Sequence, residues 1–242
     1  LVVKNLFGKY KNSALGFLWN FITPAISVLL FYIVFESFMG RDIPYYWAYL
    51  SLGMFPFAFM NTNLIGGASN ITSNGGMIKK MYFPREILPL SQVAYTLIVF
   101  LIAYSIIAVL MLITRFPLRS EGLLALPIII LTMFAFSFGT ILLTSAISVY
   151  SRDFEYLITA LARILFWVTP IFYTTDSLTG ILSTIVWLNP LTYYVEGLRD
   201  IIYVGIMPET EILILCTIIS AIVLFVGTYV FEKLKDGFAE RI

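Results

Sequence analysis

Six long stretches of this chain carry no Asp, Glu, Lys or Arg, or only one, and each is as long as a bilayer is thick. A hydrocarbon core of ~30 Å takes about 20 apolar residues in helix. The stretches are Asn12–Phe35, Ile43–Ile78, Ile87–Thr114, Gly122–Ser151, Tyr156–Thr175 (interrupted by Arg163) and Ile212–Phe231. They predict spans at roughly 21–39, 46–66, 87–113, 123–149, 156–173 and 211–231. Helices satisfy their own backbone groups where no water reaches. The expected fold is therefore an all-α integral membrane protein, one transmembrane domain over residues 1–242. Charged residues are 12% and apolar residues 60%, against about 25% and 45–50% in soluble domains, which rules out a water-soluble globule. A net charge of +1 offers no field to attract nucleic acid.

The stretch between Asp176 and Glu211 is different. Asn189-Pro190 falls inside it, and Asn caps a helix whose first turn tolerates Pro. Two short elements are expected, 178–188 and 190–204, too short to cross. They read as a re-entrant or interfacial pair within an outer region 174–207. With the N-terminus inside, inner segments hold Lys4, Lys9, Lys11, Lys79, Lys80, Arg85, Arg152, Lys233, Lys235 and Arg241. Outer segments hold only Arg41, Arg115, Arg119 and Arg199. That bias places both termini in the cytoplasm.

Residues 1–19 place Val3, Leu6, Phe7, Tyr10, Ala14 and Phe17 at helical spacing, with Lys9 and Lys11 mostly elsewhere and Trp19 at the boundary of the first span. This favours an amphipathic helix in the inner interface over a plain cytoplasmic lead-in. The chain starts at Leu1, and its natural start is expected further upstream. The inner segment 67–86 offers Asn74 as a cap, a Gly75-Gly76 break, a two-turn helix Met77–Phe83 with Lys79 and Lys80 exposed and Ile78 and Tyr82 apolar, and Pro84 as a stop. Residue chemistry alone leaves a protein-docking element and a solvated basic loop equally open.

The chain has no His and a single Cys216. The commonest general base, the commonest metal ligand and any internal disulfide are therefore missing. No metal site and no catalytic pair is expected. It has no Gly-x-x-x-x-Gly-Lys-Ser/Thr run to cradle phosphate, so the chain is not expected to drive transport with ATP by itself. Glu36, the candidate carboxylate for ion coupling, lies near the outer end of the first span and reads as an interface group. Aromatic residues are abundant, with 21 Phe, 15 Tyr and 4 Trp. Phe31, Phe35, Tyr46, Trp47 and Tyr173 are candidate linings for a transport path, against an anchoring and packing role. Ser137, Thr140, Thr144 and Ser148 form a small polar stripe that favours close helix packing over channel lining. Arg163 either snorkels to the inner interface or faces an internal cavity, where its paired N–H donors suit a phosphate group.

Several strings resemble one permease family in order along nearly the whole chain. These are Lys9-Tyr10-Lys11-Asn12-Ser13-Ala14-Leu15-Gly16-Phe17-Leu18-Trp19 with Pro24, then Ser73-Asn74, then Ile78-Lys79-Lys80-Met81-Tyr82-Phe83-Pro84-Arg85-Glu86-Ile87-Leu88-Pro89-Leu90. Tyr150-Ser151-Arg152-Asp153, Thr169-Pro170-Ile171-Phe172-Tyr173, Asn189-Pro190-Leu191 and Arg199 follow. The family is the membrane subunit of type-2 ABC exporters for polysaccharides and teichoic acids, the Wzm and TarG type. The resemblance implies a homodimer with two cytoplasmic ATPases in a bacterial or archaeal inner membrane. It implies a coupling segment including Asn74, Met77, Ile78, Lys79, Lys80, Tyr82 and Arg85. The implied cargo is an undecaprenyl-diphosphate-linked polymer, an O-antigen-like glycan first and wall teichoic acid second. A stand-alone channel or a membrane glycan enzyme is the reading from another class.

Overall fold

The computed structural model describes residues 15–35, 43–80 and 83–241. Among them every regular element is helical. In chain order they are α1 (Trp19–Phe35), α2 (Tyr46–Asn70), the short α3 (Gly75–Lys80), α4 (Ile87–Ile113), α5 (Leu126–Tyr150), α6 (Asp153–Val168), α7 (Ile181–Leu188), α8 (Pro190–Arg199), α9 (Thr210–Leu234) and α10 (Phe238–Arg241). Three helical stretches are long and apolar enough to cross a membrane: Ile87–Ile113, Glu121–Tyr150 and Thr210–Gly237. The expected interface helix lies largely outside the described residues, with Lys9 and Lys11. Glu36, Met81 and Tyr82 lie outside them too. Trp19 opens α1 and is exposed.

The hub is α2, which packs against α1, α4, α5, α6 and α8. Its small residues permit this. A Cβ on Gly67 would sit 2.0 Å from Thr144 Oγ1 on α5, so the two backbones approach as closely as glycine allows. Pro56 lies inside α2. A proline has no N–H for the carbonyl four residues back, here Leu52. The Tyr104 hydroxyl on α4 donates to Leu52 O at 2.9 Å instead. Asn63, fully buried, donates to Phe59 O and accepts from Thr96 Oγ1 at 3.0 Å. The polar stripe on α5 is buried as well. Thr140 and Thr144 turn their hydroxyls to carbonyls of their own helix, which fits a packing role.

Two expectations need correction. The span expected at 156–173 starts earlier and ends sooner, at Asp153–Val168. Thr169 precedes Pro170 and is extended, with ψ 131°, because the proline ring disfavours helix in the residue before it. At ~1.5 Å per residue this helix is about 24 Å long, less than a full hydrocarbon core. The two-turn helix expected at Met77–Phe83 is instead α3, Gly75–Lys80, and Phe83 and Pro84 are irregular.

Candidate functional site

At one end of the bundle, chain segment Thr169–Tyr173 runs without helical structure after α6. Thr169 O accepts from Ile171 N at 2.7 Å, and the next four carbonyls in a row are taken by side chains. Arg199 on α8 donates through Nη1 to Pro170 O and through Nη2 to Ile171 O at 2.8 Å. Tyr46 on α2 donates to Phe172 O at 2.8 Å and Tyr49 to Tyr173 O at 2.9 Å. Asn189 donates to Thr169 Oγ1 at 2.8 Å while its own Oδ1 caps α8 by accepting from Leu191 N at 3.0 Å. Irregular backbone survives at membrane depth only when protein satisfies it, and this arrangement does so.

Arg199 is the centre of that arrangement. It is 2% exposed. Its guanidinium lies 3.6 Å from the centroid of the Tyr49 ring and pairs with Glu196 Oε1 at 2.8 Å. A buried arginine needs its charge and donors answered; carbonyls and carboxylate take Nη1 and Nη2 and the Tyr49 ring faces the charge, while Nε has no hydrogen-bond partner among the described residues. Gly53 leaves the space: a Cβ there would lie 2.6 Å from Arg199 Nη2. Sequence reading placed Arg199 only by resemblance. The signal within reach was Thr169-Pro170, which announces a stretch of unpaired backbone needing donors.

The candidate lining residues separate into groups. Phe31 packs on Phe172 with centroids 4.6 Å apart and the rings tilted by 51°, Tyr46 is 2% exposed, and the Tyr173 hydroxyl donates to Val168 O. These three pack and pin the chain's own interior. Trp47 borders an apolar cavity of about 500 Å³ between α1, α2 and α4, beside Tyr32, Ser51 and Phe55. The helix carrying Phe35 is described but its side chain is not. Arg163 is exposed on α6, ten residues beyond Asp153 and so ~15 Å along the helix, deeper than the sequence boundary suggested. Its neighbours Leu157, Ile164 and Trp167 are 58%, 60% and 62% exposed, so this face of α6 is bare in the single chain.

At the opposite end, α2 runs through a turn at Thr72–Asn74 into α3. Asn74 Nδ2 donates to Asn70 O at 2.8 Å, closing the turn. Ile78 is buried, in a small second core with Ile71, Leu88 and Phe231. Its apolar side therefore faces inward, while Gly76 and Lys79 are exposed. Met77 packs at the edge of the same core. The side chain of Lys80, like the whole of Tyr82, lies outside the description. The Arg85 guanidinium carbon is 5.8 Å from the Phe238 ring centroid, and Glu86 Oε1 is 3.0 Å from Lys235 Nζ. Burial pushes the Glu86 carboxyl up, but hydrogen bonds from its own backbone N–H and from Lys235 outweigh it and hold the group below its ordinary range. Hydrogen bonds to Glu232 and then Glu86 hold the Lys235 ammonium above its ordinary value. Among the described residues no three His, Cys, Asp or Glu side chains group as metal ligands.

Comparison with known proteins fits this geometry. A sequence model of the ABC-2 type transporter family matches residues 1–203. The chain is 28% identical over 245 residues to the O-antigen export system permease protein RfbA of Myxococcus xanthus, covering all of this chain and 94% of that one. It is 30% identical over 237 residues to a protein of the same name from Klebsiella pneumoniae, covering 98% and 91%.

Proposed function

The chain belongs to the ABC-2 type transporter family, and from that premise we propose that it is the membrane subunit of an ATP-driven exporter of an O-antigen-like glycan. The observation that carries the reading is similarity, over nearly the full length of both chains, to permeases named for O-antigen export. The chain transports and does not catalyse. A separate cytoplasmic ATPase holds ATP and Mg. Two permeases pair in the inner membrane with two such ATPases, and the cargo is a polymer on undecaprenyl diphosphate carried from the cytoplasmic to the outer side.

The structure supports further roles within this reading. α1, α2, α4, α5, α6 together with the irregular segment Thr169–Tyr173, and α9 are the six spans, with both termini cytoplasmic. α7 and α8 are the outer re-entrant pair, consistent with their lengths of 8 and 10 residues. The segment from Asn74 to Arg85 contacts the ATPase through the exposed side of α3, around Gly76 and Lys79. The bare apolar faces of α1 and α6, with Leu29, Leu30, Ile164 and Trp167 exposed, meet the second copy or border its cavity. That brings Arg163 to the lipid diphosphate, for which paired guanidinium donors are suited.

A deletion strain tests the function. Loss of the gene should leave lipid-linked glycan made but confined to the cytoplasmic side, and the permease restored together with its ATPase should return glycan to the surface. Normal surface glycan in the deletion strain would refute the reading.

A further inference from the structure

The residues after α9 turn back beneath the coupling segment. A 3-10 turn at Lys235–Gly237 leads into α10, and Phe238 is fully buried with Ile71, Ile78 and Phe231. Its ring stands edge-on to Phe231, with centroids 5.4 Å apart. Lys235 reaches Glu86 across 149 residues of sequence, just beyond α3. On the other flank the Tyr150 hydroxyl donates to Leu234 O at 2.9 Å, and the Arg241 guanidinium lies 4.5 Å from the Tyr150 ring centroid. The coupling segment is thus tied to the end of α9 by the buried Phe238, by the Glu86–Lys235 ion pair and by Arg85, whose guanidinium carbon lies 5.8 Å from the Phe238 ring centroid, while Tyr150 and Arg241 tie the same end to α5.

α9 in turn has no freedom against α5. A Cβ on Gly227 would lie 2.1 Å from Gly139 O, and one on Gly139 would lie 2.5 Å from the Leu224 backbone. Further along α9, the Tyr194 hydroxyl of α8 donates to Cys216 O at 3.2 Å. One continuous packed path therefore runs from α3 through Phe238 and α9 to the re-entrant pair.

We propose that the C-terminal segment Lys235–Arg241 is a clamp that joins the coupling segment to α9, so that displacement of α3 by the ATPase passes into α9 and α5 together. The clamp rests on the reading of α3 as the ATPase contact. It positions that contact and does not itself touch the ATPase. Glu86 and Lys235 have side chains 31% and 29% exposed, so altering them leaves the cores intact. Lys235 also pairs with Glu232, which is removed by working in a Glu232→Gln background.

The test measures ATPase co-purification, ATP turnover and export per ATP in the assembled complex. The variants are Glu86→Lys, Lys235→Glu and the exchange of both. Each reversal should lower export per ATP about fivefold, within the range for residues along a coupling path, with the ATPase still bound. The exchange should restore most of it. Phe238→Ala should behave as the reversals do and Phe238→Leu as the parent. Gly76→Trp separates the two readings, because a Cβ there meets nothing within 4 Å among the described residues, whereas a bulky side chain on the exposed side of α3 would collide with a docked ATPase. If Gly76→Trp blocks assembly or export while both reversals leave export per ATP unchanged, the clamp is wrong and the coupling contact stands. Reversals that the exchange does not rescue, or that release the ATPase, also overturn the clamp. If Gly76→Trp assembles and exports normally, the contact reading fails and the clamp with it.

Discussion

The guanidinium of Arg199 lies against the ring of Tyr49, 150 residues away in sequence, and from there serves the carbonyls of Pro170 and Ile171. This one side chain holds α2, α8 and the irregular end of α6 together. An ammonium is a point charge that cannot fork to two carbonyls and a carboxylate. Arg199→Lys should therefore destabilise the permease by about 2 kcal/mol, the scale of hydrogen bonds lost from a buried charged donor. A thermal melt of the purified protein in detergent checks this, and an unchanged midpoint would remove Arg199 from its structural role.

Tyr104 answers the carbonyl that Pro56 leaves open in α2. Tyr104→Phe keeps the ring and removes the donor. A buried acceptor left without a partner costs about 1–3 kcal/mol, so a drop of that size is expected in the same melt. The double variant with Pro56→Ala should lose less than the single one, because alanine restores the helical N–H.

Arg163 divides two readings by one substitution. Lysine keeps the charge and can still snorkel, so an interfacial anchor tolerates Arg163→Lys. A diphosphate contact does not, since it uses paired N–H donors. Export by the assembled complex should fall about tenfold, the loss of one charge-assisted bond, with ATP turnover retained. Near-normal export would remove Arg163 from the substrate path.

The proposed re-entrant pair, α7 and α8, tests the topology. Asp176 and Met207 flank it and are both exposed, while Cys216 is buried. Single cysteines at 176 and 207 in a Cys216→Ser background should both react with an impermeant thiol reagent from outside. Labelling from opposite sides would break the six-span count.

Much of this architecture was legible in the chain. The charge-free runs marked where long helices form, Ile87–Ile113 among them. Asn189-Pro190 marked the break between α7 and α8, and the cap bond to Leu191 N realises it. The short end of α6 was also written in Thr169-Pro170, but hydropathy alone ran through it because Ile171, Phe172 and Tyr173 are apolar. What stayed hidden is long-range pairing. Nothing local ties Glu86 to Lys235 or Tyr49 to Arg199, and single residues at such separation leave no periodic trace. The apolar Ile78 and exposed Lys79 of α3 were legible in the residues, but the partners of Ile78 were not, because Phe231 and Phe238 lie far off in sequence.

The central claim is tested most directly with permease and ATPase reconstituted together in proteoliposomes, with lipid-linked glycan supplied on the ATPase-facing side. The measurement is glycan reaching the opposite leaflet, read with a lectin that cannot cross. The account predicts transfer that requires both subunits and hydrolysable ATP with Mg. Transfer at the same rate without ATP, or ATP hydrolysis by the intact complex with no glycan moved, would contradict it.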